Sequence, residues 1–188
     1  MTISLPIAPE ANLLLTKDPL ALLIGMVLDQ QDKLEKAFGA PYVLSQRLGH
    51  QPTAQELADF DPDALIAVFA TPPALHRFPT AMAGRVQAVC RLLVDEYDGD
   101  AGKLWQGVTT GQELVKRIAA LPGFGQQKSQ IFTALLGKQY GVQPDGWRAA
   151  AGAYGEVGSH RSVADIVDAD SLAKVREYKR EMKAAAKG

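Results

Sequence analysis

Ile118-Ala-Ala-Leu121-Pro122-Gly123-Phe124-Gly125-Gln126-Gln127-Lys128-Ser129 is the stretch on which the reading of this chain turns. It joins two helical patterns. Upstream, Thr110-Gly-Gln-Glu113 has the form of a capping box and opens a helix expected to end at Leu121. Downstream, a second helix starts near Gly125, and Ile131 to Tyr140 carry it on. Two glycines separated by one apolar residue predict a tight turn through positive φ, with Phe124 plugging the junction between the helices. The free N–H groups in the first turn of the second helix then face outward, where they can hold a phosphate oxygen. Leu121, Pro122, Gly123, Phe124, Gly125, Gln126, Gln127, Lys128 and Ser129 form the candidate phosphate-binding stretch, within a helix–turn–helix span of about 110–140. Such a grip is indifferent to base sequence. A Gly-x-Gly between helices can equally do no more than turn the chain.

Working outward, the same helical grammar recurs. Asp18-Pro19 is an N-cap followed by proline at the first helical position, and Leu20 to Leu28 are apolar. Thr53-Ala-Gln-Glu56 reads as another capping box, and Asp61-Pro62 opens a helix through Phe69. From Met82 to Tyr97, the residues Val86, Val89, Cys90, Leu93, Val94 and Tyr97 share one face. Leu172 to Met182 adds a further helix, in a basic C-terminal segment. No alternating β-branched run reaches strand length. The expected fold is all-α.

The 188 residues suit one domain or two small lobes, and 47% apolar with 22% charged residues excludes a disordered chain. Net charge is −1, but residues 1–102 carry −6 and residues 103–188 carry +5, a hint of polyanion contact by the second half. One cysteine, Cys90, excludes an internal disulfide, a four-cysteine zinc site and a four-cysteine iron–sulfur cluster. Its helical setting reads as a buried apolar side chain. The histidines His50, His76 and His160 are too scattered for a metal site, so no metal is expected. The longest apolar run falls short of a membrane span of about 20 residues and lacks signal-peptide flanks, so no membrane partner and a cytoplasmic location are expected.

Beyond the second helix, Gly141 to Gly158 holds five glycines and has poor helical periodicity, the mark of a functional or loosely ordered loop. Within it, in Gly141-Val-Gln-Pro-Asp145-Gly-Trp147-Arg148, Asp145 lies twenty residues after Gly125. The full Leu-Pro-Gly-Φ-Gly form together with this spaced aspartate resembles the helix–hairpin–helix, Gly/Pro…Asp superfamily of base-excision DNA glycosylases. The resemblance covers about residues 19–165. It implies a two-lobed helical bundle, with 19–125 forming one lobe, 1–18 and 126–188 the other, and a DNA-binding cleft between them. It also implies Asp145 as the catalytic carboxylate, a monomer, and a partner that is double-stranded DNA with a damaged or mismatched base. In a bacterial cell such a protein would be nucleoid-associated.

A second correspondence lies in Pro19-Leu-Ala-Leu-Leu-Ile-Gly-Met-Val-Leu28-Asp29-Gln30-Gln31, which is similar to the family's early helix with a glutamine at its tip. There the tip glutamine enters the duplex where the flipped nucleotide has left. Gln31 is matched to it, with Gln30 the alternative. Trp147 and Tyr42 are candidate walls of a base pocket, with Trp105 and Tyr154 behind them, although such aromatics are more often core than pocket. The chain departs from the family's bifunctional members, which place a lysine two residues after the second glycine. Gln127 stands there, and Lys128 is turned about 100° away on the helix. Glutamine cannot form a Schiff base, so the resemblance implies a monofunctional glycosylase. The family's iron–sulfur cluster is absent here, which leaves no cofactor beyond room for a monovalent cation at the hairpin. Two other readings remain open: a catalytically silent protein that binds DNA or its lesions, and a helical interaction module whose glycines only turn the chain.

Overall fold

The computed structural model describes residues 2–188 and is all-helical, with ten α-helices, three 3-10 turns and no strand among the described residues. The chain divides into two compact units. The first comprises Ile7–Gly107 together with the turn Ala120–Phe124. The second comprises residues 2–6, Val108–Ala119 and Gly125–Gly188.

The first unit contains α1 (Pro9–Lys17), α2 (Pro19–Leu28), α3 (Leu34–Leu48), α4 (Ala54–Asp59), α5 (Pro62–Ala70) and α6 (Pro79–Tyr97). Asp18 caps α2 by accepting from the backbone N–H of Leu20 at 2.8 Å and of Ala21 at 3.1 Å. Every residue from Leu20 to Leu28 is buried, so this helix, apolar on all sides, is the centre of its unit. Gly25 lets α3 come close: a Cβ there would stand 2.7 Å from Phe38 Cδ1. α6 buries Met82, Ala83, Val86, Val89, Cys90 and Leu93, the face read from its periodicity. Gln87 and Arg91 on the same helix donate to the backbone carbonyls that close α4, Leu57 and Phe60 from Gln87 and Ala58 from Arg91. Burial pushes the Cys90 thiol up to about 12, so it is a packing residue and no thiolate.

The second unit contains α7 (Gly111–Ala119), α8 (Gln126–Gln139), α9 (Trp147–Ala150) and α10 (Ala169–Lys187). α8 is its axis and buries Phe132 through Gly137 without a break. The Gln139 amide donates to the carbonyls of Val163, Ala164 and Ile166, and Asp165 accepts from Lys138 Nζ and from the Arg161 N–H. α10 starts on a reciprocal cap between Asp168 and Ser171 and buries only Ser171 and Val175.

Two stretches lie elsewhere than the sequence boundary at 19–125 puts them. α1 packs on α2 and α3 through Ala11 and Leu15, so it belongs to the first unit, and α7 packs on α8 and α9. The expected capping boxes at Thr53 and Thr110 are half-formed. Each threonine accepts from the glutamate N–H three residues on, but Glu56 turns to His50 and Glu113 to Arg117. No single helix among the described residues is long and apolar enough to cross a membrane.

Candidate nucleic-acid interface and carboxylate

α7 ends at Ala119, two residues before the expected Leu121. The Phe124 N–H donates to Leu121 O at 3.1 Å, with Pro122 and Gly123 between and φ +81° at Gly123. Proline at the second position and a positive-φ glycine at the third make this a type II turn. Leu121 and Phe124 are buried, which anchors the turn from both ends, while Gly123 is exposed and Pro122 half-buried.

The two glycines, expected to share one conformation, do different things. Gly125 has φ −79° and ψ −177°, an extended backbone open to any residue, and is the N-cap of α8. No atom lies within 4 Å of where its Cβ would stand, and no side chain caps the helix. The first-turn donors of an α-helix lack intrahelical partners, so an uncapped start beside an open glycine suits an approaching anion. Gln126 and Gln127 are exposed there, and Lys128 is half-buried. Ser129 does not join them: it is fully buried and its hydroxyl donates to Gly125 O at 2.7 Å. The amide of Gln127 donates to Tyr154 Oη at 2.8 Å.

Asp145 is held by its backbone. Its N–H donates to Thr109 O at 3.0 Å and its carbonyl accepts from the Gly111 N–H at 2.8 Å, an isolated parallel bridge between Thr110 and Asp145. The loop is tied again by Gln143, whose amide donates to Gly137 O. On the far side Gly146 turns with φ +71° and Trp147 plunges into the unit. A Cβ on Gly137 would stand 2.3 Å from Trp147 Cε3, and one on Gly111 would stand 2.5 Å from Trp147 Cα. Both glycines are therefore clearances for this tryptophan. The carboxylate of Asp145 is exposed and has no hydrogen bond or ion pair with any described residue.

Trp147 thus corrects one expectation. It is 8% exposed, wedged between α7 and α8, with the Arg148 guanidinium 4.4 Å from its ring, and it offers no face to a base. Tyr42 lies half-buried in the first unit. It lines a groove of about 690 Å³ between α1 and the end of α3, with Leu13, Leu14, Gln46 and His50 among its neighbours. Trp105 and Tyr154 are also half-buried.

At the end of α2, Gln31 is exposed and has φ +54°, a left-handed conformation uncommon outside glycine. Side chains hold it there. The buried His76 places Nε2 2.9 Å from Gln30 O and 3.1 Å from Leu28 O, while its Nδ1 accepts from the Phe78 N–H. An accepting Nδ1 fixes the tautomer with the proton on Nε2. Asp32 accepts from the N–H groups of Lys33 and Arg77 at 2.8 and 2.7 Å. Burial works against its charge, but these two donors, with Lys36 nearby, hold its carboxyl below the usual range. Gln30, the alternative tip residue, turns inward: its amide donates to Val27 O and reaches Met82 Sδ at 3.5 Å.

The same clamp presents two side chains that sequence reasoning passed over. Phe78 is 42% exposed, and the Arg77 guanidinium lies 5.3 Å from its ring centre. The adjacent Arg77-Phe78, just ahead of the helix-opening Pro79, was the available signal. Among the described residues no group of three histidine, cysteine or acidic side chains could hold a metal ion. The chain matches no protein-family model, no curated protein and no solved structure.

Proposed function

We propose that this chain is a monofunctional DNA glycosylase of base-excision repair, acting on duplex DNA that carries a damaged or mismatched base. The observation that carries the reading is the bridge between Thr110 and Asp145, which ties an unpaired, exposed carboxylate to the first residues of the helix leading into the glycine turn. Hydrolysis of an N-glycosidic bond develops positive charge at C1′ of the sugar. Asp145 stabilises that charge and takes a proton from the attacking water. The new C1′–O bond forms as the bond to the base nitrogen breaks, and the base leaves with the electron pair and is protonated.

The target base must first leave the stack, at a cost of a few kcal/mol. The uncapped start of α8 and the open Gly125 supply a sequence-independent hold on a phosphate. Gln31 is exposed at a tip held by His76 and Asp32, and its side chain fills the gap in the duplex. Gln127 has no amine with which to attack the sugar, so the product strand stays intact.

The test is incubation with a panel of single-lesion duplexes, developed with and without hot alkali. The expected result is strand breaks only after alkali, no covalent complex trapped by borohydride, and at least a hundred-fold slower release in Asp145→Asn, about the size of one general-base contribution. Salt-dependent binding of lesion duplexes without release from any of them would instead identify a silent lesion binder.

A further inference from the structure

Arg85 is on α6, half-buried, and its guanidinium lies against the backbone of the glycine turn. A Cβ on Gly123 would stand 1.8 Å from Arg85 Nη1, 2.7 Å from Cζ and 2.9 Å from Cδ. Gly123 is required by φ +81°, and the Arg85 guanidinium occupies the space that a side chain there would take.

The arrangement makes no use of the arginine's donors. A guanidinium carries five N–H groups in a fixed fork, yet that of Arg85 has no hydrogen bond or ion pair with any described residue. Other arginines of the chain are spent on protein acceptors: Arg47 on the carbonyls of Val68 and Pro73, Arg91 on Ala58 O and Asp59, Arg148 on Gly155 O. Ordering a long side chain costs rotamer entropy. Arg85 is ordered against an exposed turn with its charge unanswered.

We infer that Arg85 is a phosphate-binding residue of the glycine turn, gripping a backbone phosphate of the DNA through its guanidinium fork. The inference rests on the proposed DNA-binding role of the turn and extends it from backbone donors to a named cation. A planar fork matches two phosphate oxygens at once, which an ammonium does not.

The experiment is fluorescence anisotropy of the full chain with a short duplex containing a tetrahydrofuran abasic-site analogue, across a salt series. Arg85→Met keeps the apolar stem and removes the charge. It is expected to weaken binding about ten-fold and to reduce the slope of log affinity against log salt by about 0.9, the value for one lost phosphate contact. Arg85→Lys is expected to keep the slope and lose part of the affinity. An unchanged slope in Arg85→Met, with or without a lower thermal midpoint, would make the arginine a packing residue and overturn the inference. Should Arg85→Met fail to fold, Arg85→Gln is read in the same way. No salt-dependent binding by the unmodified chain would overturn the DNA-binding reading itself, a distinct result.

Discussion

The tip at Gln30–Asp32 and the turn at Leu121–Gly125 each reverse the chain at a helix end, and each includes one residue with positive φ. They are stabilised in opposite ways. At the turn the positive-φ residue is glycine, the closing hydrogen bond is backbone to backbone, and buried Leu121 and Phe124 secure the flanks. At the tip the positive-φ residue is Gln31, and the conformation is imposed by His76 and Asp32 from the surrounding chain. A turn built on glycine adds no side chain of its own at the reversal, and at Gly123 that leaves room for the Arg85 guanidinium. A tip built on clamps can present a long polar side chain at a fixed place, as insertion into a duplex requires. The cost is dependence on distant residues.

The largest expected break in this contrast is His76→Ala. It strips three backbone groups of a partner and leaves a buried void, so a loss of about 3 kcal/mol is expected. For a chain of this size that lowers the thermal midpoint by roughly 6–12 °C, measurable by calorimetry. A midpoint within two degrees of the unmodified protein would show that the tip does not depend on its clamp.

Gly123→Ala and Gly125→Ala sharpen the comparison within the turn. The first forces a left-handed conformation on alanine and drives a methyl into Arg85, and about 1–3 kcal/mol of destabilisation is expected. The second enters open space at an ordinary φ, so stability should hold within about 0.5 kcal/mol while DNA affinity falls. Equal stability losses in the two variants would contradict the division of labour between the glycines.

Asp32→Ala tests the second half of the clamp, with about 1–2 kcal/mol expected from the lost acceptor. Its sign with pH follows from the lowered carboxyl. The contribution of Asp32 is complete above the ordinary aspartate range near pH 4 and disappears as pH falls through the lower folded value. The stability gap between the unmodified protein and Asp32→Ala should therefore close on acidification from pH 5 to pH 2. A gap that widened would reverse the assignment.

An equally small effect on stability is expected for Gln31→Gly. Relief of the left-handed strain and the greater freedom of the unfolded glycine chain nearly cancel, leaving the midpoint within about 2 °C. On the proposed function base release should nonetheless slow, because the amide proposed to enter the duplex is gone. Unchanged release would return Gln31 to the role of a surface turn residue.

The helices were legible where their signals are local. Asp18-Pro19, Thr53, Asp61-Pro62 and the face of Val86, Val89, Cys90 and Leu93 lie where the periodicity predicts. α3 was hidden by Pro41, a helix breaker by rule that this helix accommodates in its interior, and α1 by its short, weakly patterned sequence. Of the candidate site, Gly123, Gly125 and Asp145 are exposed, while Ser129 and Trp147 are interior. A serine at the fourth position of a helix can point outward or bond back to the preceding turn with equal chemical ease.

By itself, then, the sequence determined the all-helical class, most of the helix starts, the exclusion of an internal disulfide and of four-cysteine sites, and the spacing that joins Gly125 to Asp145. Those properties depend on residues within a few positions of one another or on simple counts. Tertiary structure alone decided that Gly111 and Gly137 make room for Trp147, that His76 shapes the tip of α2, and that Arg85 fills the space above Gly123. Each of these joins segments ten to forty-eight residues apart. The steric clearance of a glycine and the partner of a buried imidazole depend on which side chain the fold brings alongside, and no local pattern encodes that choice.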